Sequence, residues 1–234
     1  MSKIAIDWRR ASTEFVVIVI GVLAALAVDQ WRNENEDRRI EAEYLARIKE
    51  DLRADIDKFH ILEKIFAIKF QTTRGLRDHP ESDLLSKSPD DLLQDLVFSG
   101  YVALPDSIST TFDELMSTGR FALIQSVNQR DALSQYYSGF EHISEIMFEP
   151  PGGYKKILWE SFPGELLLRS QSWREATSPQ EIRDGMQKLL ADPRLKTAAN
   201  AEMIYADALI YYLSGSRQQA EELLELLAQA GEYL

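Results

Sequence analysis

One uncharged apolar run, Phe15 to Val28 (FVVIVIGVLAALAV), constrains this chain more than any other feature. As a helix it would span about 21 Å, against roughly 30 Å for the hydrocarbon core of a bilayer. Taken alone, that length suits a buried core helix or a signal-peptide segment better than a span. The flanks change the balance. From Trp8 to Trp31 a continuous helix would reach roughly 35 Å. Trp8 and Trp31 suit the headgroup layer, where an apolar ring with one N–H donor sits half wet. Arg9, Arg10 and Arg32 can lay their stems along the apolar zone and keep their charges in water. These five residues are the expected membrane-interface set. Glu14 falls in the first turn of the run, where the positive helix end tolerates an anion.

Lys3, Arg9 and Arg10, followed by Ala25-Leu26-Ala27, also fit a cleavable signal. The expectation is a retained anchor: a tail over 1–13, then a transmembrane helix over 14–31. Within it Gly21 and Ala25 stand four apart, and small residues at that spacing let a second helix approach closely. Lys/Arg counts on the two sides are balanced, with Lys3, Arg9 and Arg10 before the span and Arg32, Arg38 and Arg39 after it. The amino terminus adds a charge to the short tail, which favours that end inside.

The charge lies beyond the anchor. The whole chain carries −12, while residues 1–31 balance Lys3, Arg9 and Arg10 against Asp7, Glu14 and Asp29. An acidic domain repels nucleic-acid phosphates, so no nucleic-acid partner is expected. The absence of cysteine excludes disulfides, thiolate nucleophiles and cysteine-bound zinc.

After Trp31 comes RNENEDRRIEAE, almost wholly polar and free of Gly and Pro. Apolar residues then recur at Leu45, Ile48, Leu52, Ile56, Phe59, Leu62, Phe66 and Phe70, in steps of three and four. Nothing interrupts a helix before Gly75, so the reading is a stalk helix over 32–75, continuous with the anchor: a rod of roughly 60 residues and about 90 Å. A helical domain over 76–234 follows. Ser88-Pro89-Asp90-Asp91 marks a helix start. Ile108 to Ser117 reads as a short helix stopped by Gly119. Ser126-Val127-Asn128-Gln129 is a capping box opening a long helix with a buried face of Leu133, Tyr136, Tyr137, Phe140, Ile143 and Met147. Pro150-Pro151-Gly152-Gly153 is the candidate hinge, at 150–153. Ser178-Pro179-Gln180-Glu181 is a second capping box. Asp192-Pro193 opens a helix with a face of Leu195, Ala199, Met203, Ala206, Ile210 and Leu213, and Gly215 separates it from a last helix over 218–230. No strand pattern of convincing length occurs. The fold class expected is all-α: one N-terminal transmembrane helix continuing into a long stalk helix, then an irregular helical bundle.

Two stretches carry a resemblance. The anchor contains Glu14, Ile18, Gly21, Leu23, Ala25, Leu26 and Trp31 at the spacing E-x-x-x-[VI]-x-x-G-x-L-x-A-L-x-x-x-x-W, with Tyr44-Leu45 in the stalk. Further on come Thr111-Phe112-Asp113-Glu114-Leu115, Ser117-Thr118-Gly119, Leu123-Ile124 and Tyr136-Tyr137. The chain thereby resembles an uncharacterised family of single-pass bacterial membrane proteins with a short N-terminal anchor and a helical extramembrane domain. It departs in having Thr13 where a Gly often precedes the Glu. The resemblance covers about the first 140 residues, implies a retained anchor, and brings no activity with it. With it the localisation expected is the bacterial inner membrane, N-terminus cytoplasmic and C-terminal domain periplasmic.

Sites for chemistry are few. Asp57-x-x-His60-x-x-Glu63 and His142-x-x-Glu145 put carboxylate and imidazole on shared helical faces, but neither His has a Glu three residues before it, as di-metal bundles require. His79 stands beside Pro80. Glu114 reads as a helix-end cap after Thr110-Thr111. Tyr136-Tyr137 and Tyr211-Tyr212 read as core and rim. No nucleophile elbow or phosphate loop is present. No catalytic residue, cofactor or metal is assigned. The expected function is a non-catalytic accessory or scaffold subunit of a larger membrane complex, for instance respiratory or photosynthetic, with the lipid bilayer and other membrane subunits as partners. The alternative is an extracytoplasmic ligand-binding or sensor-type bundle.

Overall fold

The computed structural model describes residues 8–78, 87–146, 151–162 and 178–229, with their side chains except those of residues 8–14, 141, 142 and 144–146. Its elements are α1 (Trp8–Asp78), α2 (Pro89–Ser99), α3 (Thr110–Ser117), a 3-10 turn (Arg120–Leu123), α4 (Val127–Ile146), α5 (Gly152–Ser161), α6 (Pro179–Ala191) and α7 (Leu195–Gln229). No strand occurs among the described residues. The fold is all-α.

The expected anchor and stalk are one helix. α1 runs for 71 residues, roughly 105 Å, and passes through Gly75 before ending at Asp78. Its first part is bare: every residue from Phe15 to Arg39 is exposed. Among the described residues α1 is the one helix long and apolar enough to cross a membrane. From Tyr44 onward the same helix becomes the spine of the bundle, with Ile48, Leu52, Phe59, Leu62 and Phe66 buried and Leu45, Ile56 and Phe70 partly so.

α7 lies antiparallel along this spine. Arg77 donates to Asn200 Oδ1, Lys69 meets Glu202, and Glu63 meets Arg217, so falling numbers in α1 face rising numbers in α7. Two apolar clusters divide the length of the pair. The one nearer the exposed apolar run joins α1 to Leu115 of α3, Ile124, Leu133, Tyr136 and Phe140 of the α4 region, and Leu209 to Leu227 of α7. The distal one joins Leu76 to Leu92, Leu93 and Leu96 of α2, Tyr154 and Leu158 of α5, Met186 and Leu189 of α6, and Leu195 and Ala199 of α7.

Local chemistry explains the helix starts. Ser88 Oγ accepts from the Asp91 amide, with Pro89 at the first position and two acids in the first turn. Ser178 and Glu181 form the full reciprocal capping box. At Ser126 only half forms: the Gln129 amide reaches Ser126 Oγ at 3.4 Å, and Gln129 Nε2 is buried without a partner.

Three expectations need correction. The helix expected from Ile108 begins at Thr110, because the Ile108 amide is held by Asp55 instead. Gly215 does not separate two helices: α7 is continuous for 35 residues, and the space around Gly215 is open. The buried face of α7 is turned by about one residue, with Glu202, Tyr205 and Leu209 inside and Met203 and Ile210 at the margin. Of the candidate hinge, Gly152 and Gly153 are the first turn of α5, while Pro150 lies outside the described residues, as do Met147 and His79. On α4, Leu133, Tyr136, Tyr137 and Phe140 are buried and Ile143 is partly so.

Candidate functional site

The residues expected at the membrane lie along one helix. Gly21 and Ala25 sit on the bare part of α1; a Cβ built on Gly21 meets no atom within 4 Å. Trp31 is 64% exposed and Arg32 is exposed beside it. Trp8, Arg9 and Arg10 belong to the first turn of α1, and their side chains are outside those described. Above Arg32 the helix is polar all round, with local pairs such as Arg39 on Glu36 at 2.7 Å. Such a segment suits water better than any packed interior.

Convergence begins one turn higher, where α1 clasps the segment containing α3. Tyr44 is buried, and its hydroxyl donates to Glu114 Oε1 at 2.6 Å. Arg47 donates to the other oxygen, Glu114 Oε2, at 2.7 Å. Arg120 donates in turn to the Tyr44 hydroxyl at 2.9 Å. Glu41 accepts from the Gln125 amide at 2.7 Å. Arg130 of α4 donates to the Ile124 carbonyl, closing the same loop from the far side. The Arg47 bond, then the Tyr44 bond, hold the Glu114 carboxyl below its ordinary value. Glu114 is therefore not the helix-end cap expected of it. Its oxygens are taken by α1, and the turn it follows opens at Ser109 without a side-chain cap. Gly119 makes the reversal after α3 possible, with φ of +70° in the left-handed region that suits Gly.

A second tie lies about three turns further along α1. Asp55 is fully buried; it accepts from the Ile108 amide at 3.0 Å and from the Tyr136 hydroxyl at 2.9 Å, with Lys58 Nζ 3.3 Å away. Burial pushes its carboxyl up, and these three partners pull against that. Lys58 also reaches Asp106 at 3.1 Å. Aromatic rings fill the angle between the two ties: Phe112 stacks on Tyr137 at 4.3 Å and meets Phe121 edge-on at 5.6 Å.

A third tie joins the two apolar clusters. Lys69 and Glu202 are both buried, with Nζ 2.6 Å from Oε2. That oxygen lacks a hydrogen bond of good direction, so the contact is held by charge and proximity. Lys69 also donates to the Tyr101 carbonyl at 3.0 Å. Burial lowers the ammonium and raises the carboxyl, so both lean toward neutrality.

The sequence reading missed Tyr44, Asp55, Lys69 and Glu202 as structural centres. A signal existed: Asp55 and Lys69 occupy the spacing of the apolar face between Leu52 and Phe59, and between Phe66 and Thr73. A charge at a core position needs a partner. The Asp57, His60 and Glu63 set does not gather. His60 is exposed, its Nδ1 is 4.0 Å from Glu63, and Glu63 is committed to Arg217 at 3.0 Å. The His142 side chain lies outside those described. Among the described residues no cluster of three or more metal-ligating side chains occurs. Tyr211 is a rim residue, 77% exposed, with Tyr212 against it edge-on.

Of the stretches that carried the resemblance, Tyr44, Thr111 to Gly119 and Leu123-Ile124 meet in the clasp, Tyr136-Tyr137 stands at the Asp55 tie, and Glu14 to Trp31 lies on the first part of α1. No curated protein and no solved structure matches this chain. A family of unknown function (DUF6090) matches residues 14–148, from the first turn of the apolar run to the end of α4 and both halves of the clasp. With more than half of its length inside that match, the chain belongs to this family.

Proposed function

We propose that this protein is a non-catalytic, membrane-anchored scaffold subunit of a larger assembly in the bacterial inner membrane, with its N-terminus cytoplasmic and its helical domain periplasmic. One observation carries this reading: the bare apolar helix and the core helix of the domain are the same helix, α1. A domain joined to its anchor by a flexible linker wanders relative to the membrane. A domain built on the anchor helix keeps its height and heading, which suits a part that positions other parts. The exposed Gly21/Ala25 face is where a partner's membrane helix would pack. The polar turn from Arg32 to Arg39 would cross the headgroup layer, and the clasp at Tyr44 would lock the domain to the rod just above it.

The test is purification of the full chain from native membranes in mild detergent. The expected result is one set of membrane proteins at fixed stoichiometry. Gly21→Leu should abolish that association without affecting insertion, because Leu remains apolar but blocks close backbone approach. Purification as a lone chain would overturn the reading. Unchanged association of the Leu variant would move the contact from the membrane helix to the outer domain. A ligand-binding role is favoured by one separate feature, a groove beside α3.

A further inference from the structure

Behind α3, on the connector between α2 and α3 and on α4, lies a groove of about 600 Å³. That is within the range of small-molecule sites. Phe112, Tyr137 and Phe140 make its apolar wall, and Asp106 and Asp113 stand at its polar side with Ser138 among the hydroxyls. Among the described residues no Lys, Arg or His lines it.

The charge around it is one-sided. Asp113 has a hydrogen bond from Ser109 Oγ at 2.7 Å, which leaves its charge uncompensated. Asp106 shares the Lys58 ammonium with Asp55. Asp51 and Asp55 lie close enough behind Tyr137 that, after burial, they and Asp113 raise its hydroxyl above the ordinary value. Lys58 serves Asp55 and Asp106, Arg47 lies near Asp51, and Asp113 has no cation against it among the described residues. Asp106 and Asp113 border a cavity whose remaining lining is aromatic or neutral.

We propose that this groove binds a small organic ammonium ion with an aromatic or alkyl body. The ammonium is held between Asp106 and Asp113, and the body lies against the Phe112, Tyr137 and Phe140 wall. A bare metal ion fits poorly. Hard cations want a shell of oxygens, and among the described residues no three ligating side chains gather here. An anion is repelled, and a neutral apolar body leaves Asp113 with only its bond from Ser109. A cation carrying an apolar body satisfies both sides, gaining charge-assisted bonds from the acids and attraction to the ring faces. Asp113 and Glu114 are neighbours in α3, so occupation of the groove bears on the same short helix that clasps α1.

The test uses the full chain in lipid nanodiscs, with 2-phenylethylamine as the probe and 2-phenylethanol as its uncharged counterpart. Saturation-transfer NMR and calorimetry read the binding. The expected result is saturable binding of the amine, with the alcohol weaker by about tenfold, as one charge-assisted contact is worth. Asp113→Asn and Asp106→Asn should each weaken the amine several-fold and leave the alcohol unchanged. Asp106 is in the connector and outside any helix, so its variant keeps the test sound if the α3 variant disturbs folding. Equal binding of amine and alcohol, loss of neither on substitution, or no saturable amine binding would overturn the proposal.

Discussion

Tyr44 shows how much one hydroxyl organises here. It is a donor to Glu114 and an acceptor from Arg120, so a single atom joins α1 to both ends of the α3 reversal. Tyr44→Phe keeps the buried ring and removes both bonds. It should lower stability by about 1 kcal/mol, the net worth of such a bond, seen as a lower urea midpoint with unchanged slope. An unchanged midpoint would show that Arg47 alone holds Glu114. Asp55 makes a prediction in pH. Its folded-state value is raised above the ordinary 3.8, burial being the largest cause. The folded chain then holds that proton better than the unfolded one. Its contribution is fully present below the ordinary carboxylate value and is lost as pH rises through the raised one. Asp55→Asn should therefore remove a gain in stability on mild acidification that the native chain shows. Parallel pH profiles for the two chains would contradict this.

At the scale of elements, two glycines in helices have opposite surroundings. Gly215 sits inside α7 with open space about its α-carbon, so Gly215→Ala should stabilise by up to about 1 kcal/mol through helix propensity alone. Gly185 of α6 faces the buried ring of Phe162, and a Cβ there would overlap that ring. Gly185→Ala should destabilise by roughly 1–3 kcal/mol, because the ring is too enclosed to swing away. Thermal melts of the two variants that shift in the same direction would refute this contrast. The same pair explains what could be read in advance. Helix starts were legible at Ser88 and Ser178 because a cap acts within four residues. Gly215 misled because a helix stop is also a local signal, and the packing of α7 along α1 overrides it. The apolar stripe of α1 was legible from Leu45 to Phe70, since period 3.6 needs no partner to be seen. The ties at Glu114, Asp55 and Lys69 were not, because each partner lies far along the chain: Tyr44 with Glu114, Asp55 with Tyr136, Lys69 with Glu202.

At the scale of the whole molecule, the chain is a long rod with a bundle built on its outer part. Its 14-residue apolar core, extended by the flanks to Trp31, has to meet a bilayer or another protein, since every residue from Phe15 to Val28 is exposed in the folded chain. Full-mass protein should therefore stay in the membrane fraction through high-salt and carbonate washes. A mature chain starting at Val28 would mean that the segment is a signal and is removed. The central claim, however, is continuity: the helix that carries the exposed apolar run is the helix that forms the spine of the core. The chain has no cysteine, so two labels can be placed without background. Leu23→Cys in the span and Arg53→Cys in the bundle are both exposed positions of α1, 30 residues apart. With spin labels on both, in lipid nanodiscs, pulsed electron–electron resonance should give one narrow distance near 45 Å, as one unbroken helix requires. A broad distribution, or a mean well short of that value, would show a joint between anchor and domain and contradict the account.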